Sequence, residues 1–364
     1  MKKSRHYIVQ LILMIYHMCF SYIAWSILII KKGDAYNYWF VNKELSSYQW
    51  GDFLRPGTNI VKLITYPFVY FKMPFWFGFV LFSFISGLGV LLLWDLFMKI
   101  SEGKKNTLIA LFLILMPNLH FWTANIGKES VLFLPLIIIL QQLYLKNFFS
   151  IATIIAFIIV ALIRPHLAFV LISSFTISLF FTQFLTSKKK ILILASAIFV
   201  IGILALLLFH IQDFSGGIPR ILHKYNVHIL YFKNTNAYVP LDSYSLPYKI
   251  FTFYFRPLPL ENAGFLYTVA GIENILLLLI GISSAYLAIK HMKKLKNRFI
   301  FVFSVTFLFL FAMMYVYAYA NFGIILRTRM IASPFLYCCI LEILSVSYLE
   351  NIKIKIGSTN LSGD

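Results

Sequence analysis

Residues 75–98 read FWFGFVLFSFISGLGVLLLWDLFM, a continuous apolar run broken by a single charge, Asp95. Twenty or so apolar residues in a helix match the hydrocarbon thickness of a bilayer, whereas membrane strands need apolar and polar residues in alternation. The run therefore reads as a membrane helix, and the pattern recurs along the chain. Comparable stretches lie at about 6–30, 107–119, 129–145, 150–163, 167–186, 191–210, 267–289, 299–318 and 330–348. The expected fold is all-α: one polytopic transmembrane domain over 1–364 with about ten spans. The stretch 60–73, with Lys62, Pro67 and Lys72, reads as a short interfacial or re-entrant piece.

Composition agrees. The chain is 60% hydrophobic and 18% aromatic, with mean hydropathy +0.83, against roughly 45–50% apolar residues in soluble domains. The net charge of +19 does not imply nucleic acid, because the lysines sit in short clusters between apolar runs: Lys2–Arg5, Lys104-Lys105, Lys188–Lys190, Lys290–Arg298, Lys353 and Lys355. Such clusters orient membrane helices and touch anionic lipid. Placed inside, they give cytoplasmic termini, short inner loops and two long outer loops, about 31–59 and 211–266. The first run lacks a small-residue cleavage site and is expected to be a retained helix. Cys19, Cys338 and Cys339 lie within apolar runs and read as packing residues. Asp95 and Lys99 read as an i,i+4 helix pair. His210, His223 and His228 lack metal-ligand spacing.

The arginines break the pattern. Arg55, Arg164, Arg220, Arg256, Arg327 and Arg329 all fall on the outer side in this threading. Arginine there is not explained by orientation, and its planar fork suits phosphate or carboxylate. Five groups of outer residues could carry chemistry. Asp34, with Tyr36, Tyr38 and Trp39, follows the first span; the acid could be a base beside sugar-stacking rings, or a solvated residue in an interfacial aromatic belt. Trp122 precedes Gly127-Lys128-Glu129, which opens a helix whose N-terminus could hold an anion, although Glu129 also suits an ordinary first turn. Arg164-Pro165-His166 separates two apolar runs by almost no loop, so reaching water by snorkelling is hard. Arg256 and Glu261 bracket a proline-rich segment and could be a structural ion pair. Arg327 and Arg329, in a polar turn before the last span, could clamp a diphosphate. No nucleotide motif, nucleophile elbow or metal cluster is evident, and no cofactor is expected. A divalent cation bridging a diphosphate to Asp34 is compatible with the pattern.

The pattern looks like the bacterial polysaccharide polymerases, O-antigen polymerase among them: Asp34-Ala35-Tyr36-Asn37-Tyr38 is similar to the exopolysaccharide polymerase type, and Ile126-Gly127-Lys128-Glu129, Ile163-Arg164-Pro165-His166, Phe255-Arg256-Pro257-Leu258-Pro259-Leu260-Glu261 and Arg327-Thr328-Arg329-Met330 resemble segments of uncharacterised relatives in surface-polysaccharide clusters. An acid after the first span is also similar to the lipid-dependent (GT-C-like) membrane glycosyltransferases. The chain has fewer expected spans than the O-antigen form, and its outer loops differ in order. The resemblance implies an enzyme of the bacterial cytoplasmic membrane that joins undecaprenyl-diphosphate-linked oligosaccharides on the outer face, with Arg164, Arg256, Arg327 and Arg329 on the diphosphate, Lys128 and His166 assisting, and Tyr36, Tyr38, Trp39 and Trp122 on the sugars. Asp34, Glu129 and Glu261 are the candidate bases. Implied partners are lipid-linked oligosaccharide, membrane lipids, a flippase and a chain-length regulator. The alternatives are a transporter or flippase of lipid-linked glycan and a single-sugar transferase with a polyprenyl-phosphate donor. Helix interiors that are almost wholly apolar favour an enzyme, because alternating access needs charged groups in mid-membrane.

Overall fold

The computed structural model describes residues 3–31, 33–40, 49–101, 103–182, 187–212, 220, 223, 227, 229–261 and 264–360. His228 and Asn262, and parts of both expected outer loops, lie outside the described residues. Among the described residues there is no strand, only an isolated bridge between Tyr238 and Asn321. The helices are α1 (Lys3–Lys31), α2 (Asp34–Trp39), α3 (Asn59–Tyr70), α4 (Phe75–Ile100), α5 (Gly103–Ile114), α6 (Pro117–Thr123), α7 (Lys128–Tyr144), α8 (Ile151–Ile163), α9 (Pro165–Phe181), α10 (Ser187–Gln212), α11 (Leu246–Phe255), α12 (Phe265–His291), α13 (Arg298–Tyr315), α14 (Phe322–Arg329) and α15 (Ser333–Asn360).

Among the described residues five segments are long and apolar enough to cross a membrane: Ser4–Ile30, Phe75–Ile100, Lys105–Thr123, Phe265–Lys294 and Arg298–Tyr315. A sixth arises if α14 and α15, bent by 57°, count as one. The sequence suggested about ten. The difference lies mainly in α7, α8 and α9, which have 17, 13 and 17 residues. Pro165 ends α8 early, since proline lacks an N–H and bars its predecessor from helical geometry; Arg164 sits at φ −141°, ψ 84°. The expected last span is also divided. Arg327 and Arg329 are not in a polar turn but in α14, whose first turn is capped by the Asn321 side chain accepting from Gly323 and Ile324 N–H.

α4 is the hub, packed by α1 on one side and α7 on the other. Small residues allow the approach. A Cβ at Gly87 would lie 2.6 Å from the Met14 sulfur of α1, and one at Gly89 would lie 2.8 Å from the Phe133 ring and 3.1 Å from the Leu134 backbone of α7. Asp95 does not pair with Lys99. It bonds His6 and Gln10 of α1, each at 2.8 Å, because a tertiary partner within the α1–α4 contact outcompetes a weak i,i+4 pair.

Helix interiors are less apolar than the sequence suggested. Pro117 breaks the ladder between α5 and α6, freeing carbonyls that a membrane interior cannot leave unsatisfied. The Tyr16 hydroxyl donates to Leu115 O at 3.0 Å, and His120 Nε2 donates to Ile114 O at 2.6 Å. His120 Nδ1 then faces His17 Nδ1 at 2.9 Å, and His17 Nε2 lies 2.9 Å from the Ser86 hydroxyl, which donates to Thr123 O at 2.8 Å. All three side chains are fully buried. On α12, Glu273 accepts from the Asn118 backbone N–H and amide at 2.9 and 2.7 Å.

Gly89→Ala is expected to destabilise the protein by about 1–3 kcal/mol, because the new methyl meets backbone that cannot yield. Gly87→Ala is expected to cost less, since the flexible Met14 tip can move. Thermal unfolding in detergent measures both, and the reverse order contradicts this packing.

Candidate functional site

A cavity of about 400 Å³ opens where α2, α3, α7, the α8–α9 junction and α14 meet. It is lined by Asp34, Asn37, Tyr38, Thr58, Lys62, Lys128, Glu129, Arg164, His166, Tyr319 and Arg327. Each side chain arrives for a local reason. Residues three and four apart share a helix face, so α2 presents Asp34, Asn37 and Tyr38 together while Ala35 and Trp39 are buried behind them. The Thr65 hydroxyl of α3 donates to Tyr38 O at 2.8 Å, and Gly57 N–H donates to Leu162 O of α8 at 2.7 Å. These two bonds tie α2, α3 and α8 into one wall carrying Thr58 and Lys62. Gly127 ends an extended approach to α7, so Lys128 and Glu129 fall in its first turn, where the helix dipole favours the carboxylate.

Two ion pairs organise the cavity. Arg164 Nη2 bonds Glu129, and the two side chains are only 7% and 5% exposed. Arg327 Nη1 bonds Asp34 at 2.6 Å, with side chains 28% and 51% exposed. Arg327 Nε also lies 3.5 Å from Glu129. Glu129 is thus a buried anion between two guanidiniums, which makes it a counter-ion and a poor base. The pairs differ in strength. Removing one partner of a buried pair costs about 3–5 kcal/mol, because a charge is left without water or partner; a partly exposed pair is worth about 0–1 kcal/mol. Arg164 Nη1 also donates to the Tyr315 hydroxyl at 3.3 Å, so the Tyr315 proton is free to go to His166 Nε2 at 2.9 Å. Burial, then the nearby Asp34 and Glu129, push the Tyr38 phenol up, which keeps it protonated and able to donate.

Among the described residues, four cations (Lys62, Lys128, Arg164 and Arg327) face two carboxylates (Asp34 and Glu129). With His166 neutral, the net charge is two positive, the complement of a phosphate or diphosphate. Among the described residues no three metal-ligating side chains gather.

Several residues expected at such a site lie elsewhere. Arg256 donates from Nε to both Glu261 oxygens at 3.0 and 2.9 Å, and lies 5.4 to 5.6 Å from the Tyr248, Phe322 and Tyr244 ring centres. Glu261 also accepts from Leu258 N–H at 2.9 Å. The pair closes the proline-rich segment and gives neither a base nor a phosphate ligand to the cavity. Arg329 points away from Arg327, because residues two apart on a helix do not share a face. It is 3% exposed and donates to Tyr254 O at 2.8 Å, Arg256 O at 3.2 Å and the Asn274 side chain, capping the C-terminus of α11. Trp39 is 1% exposed and packs where a Cβ on Gly78 would be 2.5 Å from its ring. Tyr36 packs on Phe40 and Phe75, and Trp122 on Phe121. Arg55 and Arg220 are exposed and do not line the cavity. Conversely, Asn37, Thr58, Lys62 and Tyr319 line it without having been singled out. For Lys62 the signal was a lysine inside an otherwise apolar interfacial stretch; Thr58 and Tyr319 carried none.

No family model, curated protein or solved structure matches the chain.

Glu129→Gln is expected to lower stability by about 3–5 kcal/mol, since it leaves Arg164 buried without a counter-charge, and Asp34→Asn by about 1 kcal/mol or less. Unfolding midpoints of the two variants in one detergent compare them directly; equal losses contradict the assignment of a buried and an exchangeable pair.

Proposed function

We propose that this chain is a glycosyltransferase of the bacterial cytoplasmic membrane that joins undecaprenyl-diphosphate-linked oligosaccharide units on the outer face. The observation that carries this reading is the convergence of Lys62, Lys128, Arg164 and Arg327 on one cavity with a net charge of two positive. A glycosyl diphosphate gains negative charge on its bridging oxygen as the sugar leaves. Cations fixed beforehand in a site of low dielectric stabilise that charge with little reorganisation, commonly by several kcal/mol.

Among the described residues, Asp34 is the only candidate base with an exposed carboxylate in the cavity. In the proposed step the acceptor hydroxyl oxygen bonds the anomeric carbon of the donor sugar. Its proton passes to the Asp34 carboxylate. The bond from anomeric carbon to diphosphate oxygen breaks, and the electron pair leaves with the lipid diphosphate, countered by Arg164, Arg327 and Lys128. Tyr38 and Asn37, beside Asp34 on α2, can hydrogen-bond the acceptor sugar. Partner flippase and chain-length regulator belong to the same reading. Glu273, His17 and Asn274 place polar groups inside the helices, but each is bonded within the bundle, which gives no path for alternating access.

The test is surface polysaccharide resolved by chain length, with membrane levels of each variant matched. Arg327→Ala and Arg164→Ala are expected to collapse the ladder to single units while lipid-linked units accumulate outside; Arg256→Ala is expected to leave chain length within about twofold of the parent, because its guanidinium serves the α11–α12 segment. Accumulation inside makes the protein a flippase. Units lacking one sugar make it a single-sugar transferase. An unchanged ladder in Arg327→Ala removes the assigned reaction.

A further inference from the structure

Resting on that reading, we infer that Arg327 holds one oxygen of Asp34 in the empty site and is drawn off it by the substrate diphosphate, so that both carboxylate oxygens are open to the acceptor only when the leaving group is bound. The geometry sets this up in three ways. Arg327 holds Asp34 through one terminal nitrogen at 2.6 Å, across a pair that is open to solvent on the Asp34 side. Its Nε is buried and makes no hydrogen bond among the described residues, so the guanidinium has donor capacity that its present partners do not use. Its second carboxylate, Glu129, is locked from behind by Arg164 in a pair almost closed to solvent.

An arriving anion therefore meets two arginines with different freedom. Arg164 cannot leave Glu129 without stranding a buried charge. Arg327 can exchange a partly hydrated carboxylate for a phosphate oxygen at little cost, because it keeps Glu129 as a fixed pivot and gains a partner of equal or greater charge. Glu129 is in this scheme a positioning residue for both guanidiniums, and Asp34 the catalytic base. While Arg327 holds one Asp34 oxygen, only the other faces the open side of the cavity. Once Arg327 turns to the diphosphate, Asp34 stands free beside Asn37 and Tyr38, where the acceptor sugar would lie. Donor binding would then precede full engagement of the acceptor by the carboxylate.

The experiment is calorimetric titration of the purified full-length protein in detergent with inorganic pyrophosphate at fixed low salt, using wild type, Asp34→Asn, Asp34→Ala and Glu129→Gln, paired with the chain-length gel. Removing the competitor for Arg327 is expected to tighten pyrophosphate about three- to tenfold in both Asp34 variants while abolishing polymer. Glu129→Gln that remains folded is expected to bind at least about tenfold more weakly, because both arginines lose their anchor. Asp34 variants that bind no tighter than wild type overturn the exchange while leaving the transferase reading in place, since wild type still binds and still polymerises. Asp34 variants that keep polymerising overturn Asp34 as base. Wild type that does not bind pyrophosphate at all overturns the inference together with the reading beneath it.

Discussion

The pair between Glu129 and Arg164 sets the terms for the rest of the site end of the bundle. Both side chains are almost closed to solvent, in a molecule whose surroundings are apolar, and neither charge is tolerable there alone. The first turn of α7 must therefore stay against the break between α8 and α9. Fixing those ends fixes what hangs on them: Leu162, whose carbonyl receives the Gly57 N–H; α3 and α2, joined through Thr65 and Tyr38; and Tyr315, which links Arg164 to His166. Five separated segments converge because one ion pair cannot be broken cheaply.

The same rule governs the polar groups deeper in the bundle. A helix broken in a membrane owes partners to its freed carbonyls. Pro117 frees them between α5 and α6, and Tyr16 and His120 supply donors. His17 and Ser86 then complete the chain, which also fastens α1 to α4. Arg329 plays the matching role at the end of α11. These residues resemble a catalytic relay when named in sequence, but each donor is spent on a neighbour, and the cavity lined by Glu273 and Arg329 holds only about 10 Å³.

What could be read from the sequence follows from this. Boundaries of apolar runs are local features, so Asp34, Lys128, Glu129, Arg164, His166 and Arg327 stand out as charged or polar groups at run ends, and the structure brings these six together around one cavity. Partner choice is not local. Nothing in the sequence tells Glu129, which is clamped by two arginines, from Asp34, which faces solvent. The misplacements have a local cause in unrecognised helices. Taking 327–329 as a turn allowed both arginines to serve one ligand; in α14 they point apart. Reading 34–39 without a helix made Tyr38 and Trp39 equivalent sugar-stacking rings, whereas the turn of α2 sends one to the cavity and the other to Gly78. The ten expected spans and the five long apolar segments among the described residues differ for a similar reason: apolarity marks a segment as buried in protein or lipid, whereas length bears on whether it can cross, and Pro165 ends α8 after 13 residues.

A site that must bind a dianion and also use a carboxylate faces a conflict, because each added acid weakens the anion it is meant to serve. This cavity separates the two demands by burial. Glu129 is withdrawn behind the arginines, where its charge is spent on orienting them and is hidden from the ligand. Asp34 sits at the open edge, on a six-residue helix held by the Thr65 hydroxyl, where water screens its charge. Arg327 lies between them and, among the described residues, is the one cation in contact with both. The buried carboxylate gives the site its permanent shape, and the exposed one gives it a contact that can be exchanged. Interchanging the two environments would leave the residue list unchanged and remove both properties, which is why the chemistry of this site depends on depth as much as on identity.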